Sequence, residues 1–139
     1  MSEWYKHIDH TGDIGIVVKG GSITELFEHA ARAMFEVIAD LKDVQPKDEE
    51  QVQVEAEDLE ALLVRWLSEL NFRHITQEKL FCRFSIQKMH DRFLSATIWG
   101  EPVDPAKHTI YTEIKAVTFH GLYIKQLDEW FEAQIIFDM

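Results

Sequence analysis

The chain has a single cysteine, Cys82, in 139 residues. That excludes an internal disulfide framework and fits a reducing, cytoplasmic setting. Prolines number three and glycines six, and no linker, internal repeat or low-complexity tract is visible. No apolar run approaches the roughly 18 residues that a membrane-spanning helix needs. Met1-Ser2-Glu3-Trp4 lacks a basic region followed by an apolar one, so no secretion signal is expected. Basic charge is also short: 14 Lys and Arg against 25 Asp and Glu leave −11. The basic residues are scattered, and acidic runs such as Lys47-Asp48-Glu49-Glu50 and Glu55-Ala56-Glu57-Asp58 intervene. Such a chain repels a polyanion, so the expectation is no direct RNA or DNA binding. A cationic protein partner or a metal ion suits it better. Phosphate-cradling Gly-x-x-x-x-Gly-Lys-Ser/Thr loops, Gly-x-Ser-x-Gly elbows and His-Glu-x-x-His helices are missing, and the nucleophile list is empty.

What is there is an ordinary globular composition, 46% hydrophobic and 28% charged. It is enough for one domain, residues 1–139, with a real core. A short strand through Trp4-Tyr5-Lys6 and a second through Ile14 to Lys19 flank the polar link His10 to Asp13. After Gly20-Gly21, Ser22 and Glu25 form a capping-box pattern that opens a helix to about Asp40. Residues 41–50, with Pro46, read as a solvated loop, and Gln51 to Ala56 as a half-buried strand. Asp58 can cap a second helix whose stripe is Leu59, Leu62, Leu63, Trp66, Leu67 and Leu70. Leu80–Lys88 and Phe93–Trp99 form a hairpin across His90-Asp91-Arg92. After a loop at 100–108, the last strands run from about Ile110 to Lys125, with Gly121 as a break or bulge, and from Trp130 to Phe137. The order does not alternate as a doubly wound fold would. It predicts an α+β, two-layer domain, two helices packed on a mostly antiparallel sheet. No exposed apolar stretch is evident.

Between His7 and Asp13 fall two imidazoles, a hydroxyl and two carboxylates. Asp13 alone would most simply be a turn-former. On the last strand Phe131, Ala133, Ile135, Phe137 and Met139 share the core face, so Asp138 points outward, alone a solvated strand end. Lys115 alone would be an exposed strand lysine. His7, His10 and Asp13 together suggest a two-His-one-carboxylate metal set. The step from His7 to His10 changes strand face, however, unless the turn begins at once. His29, His74 and His90 read as surface residues, and Cys82 as a buried small hydrophobe.

Three marks in order carry a family resemblance over essentially the whole chain: His10-Thr11-Gly12-Asp13 before an Ile-Gly strand, Glu113-Ile114-Lys115-Ala116-Val117-Thr118-Phe119-His120, and a final strand ending Phe137-Asp138-Met139. In these the chain resembles the archease family. The resemblance implies the same α+β fold and a divalent-metal site made by Asp13, Asp138 and the backbone or terminal oxygen of Met139. It implies a functional role for Lys115, and roles for His108 and His120 behind the ligands or in packing. Gly12 stands where the family more often has Ala, which loosens the turn slightly and removes no ligand. An oxygen-only set suits Ca²⁺, with Mg²⁺ or Mn²⁺ as alternatives.

Archeases are protein cofactors of GTP-dependent RtcB-type RNA ligases in tRNA splicing and RNA repair, promoting guanylylation and repeated turnover. The resemblance therefore implies a non-enzymatic accessory protein with that ligase as partner. Whether it delivers an ion or reorganises the nucleotide pocket is left open. Two other readings stand beside it: a small metal-dependent hydrolase, thinly equipped with two carboxylates and no nearby base, and a chaperone-like interaction module.

Overall fold

The computed structural model describes residues 4–10 and 12–139, and the side chains of these except 5 and 7–10. Among the described residues are strands β1 (Tyr5–His10), β2 (Asp13–Gly20), β3 (Asp48–Glu55), β4 (Lys79–His90), β5 (Phe93–Pro102), β6 (Ala116–Val117), β7 (Tyr123–Leu127) and β8 (Trp130–Asp138). Two helices, α1 (Ile23–Ile38) and α2 (Leu59–Gln77), lie between them in sequence. The fold is α+β, as the element order predicted, and every strand pairing is antiparallel.

The sheet is not one but two. In the first, β2 lies between β1 and β8, and the far edge of β8 is covered by β6 and β7 in turn. The second runs β3-β5-β4. α1 packs on both, against β2 and β4, while α2 covers β3, β4, β5 and β6. Period-2 patterning reports which face of a strand is buried and carries no information on which sheet the strand joins, so the division was not readable beforehand.

Both helix starts are as expected. Ser22 Oγ accepts the Glu25 N–H at 3.1 Å, and Glu25 Oε1 reaches back to the Gly21 N–H at 2.7 Å. Asp58 Oδ1 accepts the Ala61 N–H at 2.8 Å. These bonds satisfy donors that the first turn of a helix leaves unpaired. Leu62, Leu63, Leu67 and Leu70 of the α2 stripe are fully buried with Trp66, whose indole N–H donates to the Phe27 carbonyl of α1 at 3.0 Å, while Leu59 in the first turn is half-buried.

The small sheet's edges are closed by helix side chains. Arg73 of α2 donates to the Gln51 carbonyl of β3 at 3.0 Å. Arg32 of α1 donates to the Cys82 carbonyl of β4 at 2.8 Å, and Glu28 accepts the Ile86 N–H at 2.8 Å. Unpaired edges invite other strands, and these contacts occupy them. Cys82 is consequently half-buried rather than fully buried, because β4 is an edge strand only partly roofed by α1. Burial still raises its thiol above the ordinary range.

The predicted strand from Ile110 to Lys125 does not form as one piece. Ile110 makes an isolated bridge to Ala39, residues 111–115 are irregular, and only Ala116–Val117 and Tyr123–Leu127 pair with β8. Gly121, at φ +61°, turns the chain between them. The irregular stretch is held by the end of α1 instead, with the Tyr111 N–H on the Ile38 carbonyl at 2.7 Å.

Candidate functional site

The β1–β2 hairpin and the end of the chain meet at one corner of the five-stranded sheet. Asp13, the first residue of β2, is the register partner of Asp138, the last of β8. Opposed residues of an antiparallel pair share a face, with Cβ atoms about 5 Å apart. Along β8 the core side carries Ala133, Ile135 and Phe137, all fully buried, which leaves Asp138 exposed on the other side. Among the described residues neither carboxylate has an ion pair or hydrogen-bond partner. Two like charges held opposite one another without compensation are destabilising, and a divalent cation removes that penalty. The donor set therefore fits a hard cation. No three His, Cys, Asp or Glu side chains among the described residues converge as a ready-made cage. The rest of the shell would come from the chain end and water.

The turn supports this placement. Gly12 lies at φ +74°, where a Cβ is strained although nothing lies within 4 Å of its position. Glycine here relieves the turn rather than loosening it. Met139 packs partly against the core, which pins the chain end. Ala116 is the register partner of Asp138 on the side away from Asp13, and the Lys115 N–H donates to the Asp138 carbonyl at 2.8 Å. The Lys115 side chain is exposed. The three family marks thus meet in space, at Asp13, Lys115 and Asp138.

Sequence reasoning missed what holds Lys115 there. Buried Asn71 of α2 donates from Nδ2 to the Ile114 carbonyl at 2.9 Å, its Oδ1 left without a partner. Further upstream is a knot around Glu101, which is 5% exposed. Its carboxylate accepts from the Gln45 N–H at 2.8 Å, Lys107 Nζ at 2.9 Å and His108 Nε2 at 2.9 Å. Burial alone would raise this carboxyl, but the bonds from Lys107, Gln45 and His108 prevail and hold it at about 2. The Asp104 N–H donates to His108 Nδ1 at 2.9 Å, so that nitrogen is bare and Nε2 carries the proton. His108 is thus a neutral clamp on the loop before Lys115, away from the carboxylate pair.

A cavity of about 280 Å³ adjoins Asp13, lined by His120, Gly121, Gln134 and Ile136. Gln134, Ile136 and Asp138 alternate on the outer face of β8, a spacing that could have marked Gln134 in advance. His10 pairs in register with Asp13 and His7 with Ile16. Their side chains, and with them the two-His-one-carboxylate expectation, lie outside the described residues.

Of the histidines expected at the surface, His90 is exposed, but His74 is only 8% exposed and donates to the Lys79 carbonyl at 2.7 Å. It closes the end of α2, where Glu78 turns left-handed. His29 is half-buried, bonded to the Lys19 carbonyl at 2.6 Å. The expectation of no exposed apolar stretch also fails. Phe72 and Ile75 stand off the leucine stripe of α2, and Ile110, Tyr111 and Phe119 are exposed because their segment is not a regular strand.

Fold and corner together define a small α+β domain that offers a surface carboxylate pair beside a pinned chain end. The chain belongs to the Archease protein family (MTH1598/TM1083), whose model matches residues 5–139. It is 40% identical to "Protein archease" of Pyrococcus abyssi over the full length of both chains. Against the Methanosarcina mazei protein of the same name it is 36% identical, over 97% of this chain and 95% of that one. The solution structure of Methanobacterium thermoautotrophicum protein 1598 superposes with a TM-score of 0.86 at 36% identity, covering 99% of this chain and 100% of the other. A Thermotoga maritima protein described as an archease, possible chaperone, shares the fold at TM-score 0.63 and 23% identity, with 96% of each chain covered. Among the described residues no helix is long and apolar enough to cross a membrane.

Proposed function

We propose that this protein is a non-enzymatic cofactor of an RtcB-type, GTP-dependent RNA ligase, acting in the cytoplasm to promote guanylylation and repeated turnover. The observation that carries the reading is the register pairing of Asp13 with Asp138, with Lys115 fastened to the same strand end. Asp13, Asp138 and an oxygen of Met139 would hold a divalent ion, Ca²⁺ in the first instance and Mg²⁺ or Mn²⁺ as alternatives. Its contribution would be positive charge at the contact with the ligase. A surface corner suits a group presented to a partner better than a reaction centre that must exclude water. The charge of −11 supports docking on a basic, RNA-binding face, and the exposed Tyr111 and Phe119 flank Lys115 in the sequence as apolar contacts.

The chaperone-like reading draws on the same exposed apolar residues and predicts broad suppression of aggregation. The hydrolase reading predicts turnover by the protein alone. One experiment separates them: RNA ligation at limiting ligase with and without this protein, beside a hydrolysis screen and an aggregation assay. Several turnovers per ligase only when the protein is present support the proposal. Unchanged ligation overturns it.

A further inference from the structure

We propose that the cavity between α1 and the edge of β4 binds a small organic anion, with its carboxylate or phosphate head on Arg32 and Arg83 and an apolar ring against Phe84 and Val44. The cavity measures about 470 Å³, a usual size for a small-molecule site, and shares no lining residue with the cavity beside Asp13.

Its charge sets it apart. The chain as a whole carries −11, yet two arginines, one histidine and one glutamate line this cavity. Arg32 is held in place, with Nη1 donating to the Cys82 carbonyl at 2.8 Å and Nε 3.6 Å from Glu36 Oε1. Neither contact uses Nη2. Arg83 has no carboxylate partner among the described residues, and its guanidinium carbon lies 5.8 Å from the centroid of the Trp99 ring. A register shift between Phe81 and Arg83 leaves Cys82 unpaired in the ladder, and such bulges re-aim neighbouring side chains. Burial raises the Cys82 thiol while Arg32 and Arg83 both pull it down, so the two positive charges converge on this part of the wall. Glu28, the one acid in the lining, is engaged by the Ile86 N–H at 2.8 Å.

The rest of the lining is apolar and fixed. Leu41 and Val44 are buried, and the Val44 N–H donates to the Leu41 carbonyl at 3.1 Å. Between Val44 and Pro46, the Gln45 N–H is tied to Glu101 at 2.8 Å. The Phe84 ring stacks on Phe35, with centroids 5.7 Å apart. Walls fixed beforehand lose little binding energy to ordering. Guanidinium forks match carboxylate and phosphate oxygens, and the apolar side chains favour a ring over a bare inorganic ion.

The test is a titration followed by amide chemical shifts, with phenyl phosphate, phenylacetate, inorganic phosphate and the neutral benzyl alcohol as probes. Phenyl phosphate or phenylacetate should give saturable shifts at millimolar concentration or below, centred on residues 28–32, 41–46 and 82–84. The tighter of the two identifies the head group. Arg83→Gln should weaken that probe at least about tenfold, the loss expected for a charged hydrogen bond, with the unfolding midpoint unchanged. This variant decides the matter because Arg83 is exposed, whereas Arg32 also holds the β4 edge. No saturation by either organic anion, shifts centred elsewhere, or full affinity in Arg83→Gln would each overturn the proposal. So would binding of benzyl alcohol or inorganic phosphate as tight as that of the organic anions.

Discussion

Asp13 and Asp138, from the first hairpin and the last strand, are direct cross-strand partners. Their mutual repulsion makes a clean prediction. Without metal, Asp13→Asn should leave stability unchanged or raise it by about 0.5 kcal/mol, because one of two opposed like charges is gone. With Ca²⁺ the wild-type protein should gain thermal stability as a ligand-linked shift, and the variant should not. Melting curves with Ca²⁺ and with a chelator read both effects. An equal Ca²⁺ shift in the variant would remove Asp13 from the site.

The chain end gives the second prediction. Ends usually fray, but Met139 packs against the core and the Asp138 carbonyl accepts the Lys115 N–H. Appending a C-terminal tag keeps Asp138 while removing the free carboxylate at Met139 and crowding the corner. Divalent affinity and ligase stimulation should both fall relative to an N-terminally tagged control. Equal values would show that the terminal carboxylate is no ligand.

A third prediction concerns acid. The Glu101 carboxyl, ordinarily at 4.5, is held at about 2 in the fold. The stability it contributes is present above pH 4.5 and is lost as pH falls toward 2. Glu101→Gln should flatten the stability profile across that window. At pH 7 it should cost about 1–3 kcal/mol, the range for a disrupted buried polar contact. Lys107 is partly exposed, which keeps the figure toward the low end. Because this knot anchors the loop ahead of Lys115, ligase stimulation should weaken while metal affinity holds. Denaturant titrations at pH 3 and pH 7, a metal titration and a ligation assay at limiting ligase check these outcomes.

Much of this was legible from patterning, and the limits are physical. Ser22 and Asp58 announced both helix starts because capping is local chemistry, decided within three residues. The outward direction of Asp138 followed from alternation against Phe137 and Ile135. That Asp13 lies opposite it needed the resemblance, since register between distant strands leaves no mark in either strand alone. His74, Asn71 and Glu101 were hidden for a related reason. Asn71 and Glu101 bond backbone groups far along the chain, and His74 bonds the Lys79 carbonyl just past its own helix; composition cannot distinguish such buried polar residues from exposed ones.

The fourth prediction concerns nucleic acid. With a net charge of −11 and scattered basic residues, the isolated protein should show no measurable tRNA affinity at physiological salt. Filter binding or anisotropy across a salt series checks it. Tight binding that falls steeply with added salt would reveal a gathered basic face and argue against docking by charge on the ligase.

The central claim is that the opposed carboxylates are what this protein brings to an RNA ligase. Counting ligation events per ligase molecule, with the ligase limiting and GTP and metal in excess, tests it most directly. The comparison is between the wild-type protein and Asp138→Asn, which keeps the core residues Ile135 and Phe137 and so should keep the fold. The account predicts many turnovers with the wild-type protein and about one or fewer with Asp138→Asn, the level without any added protein. Full stimulation by a correctly folded Asp138→Asn protein would contradict it.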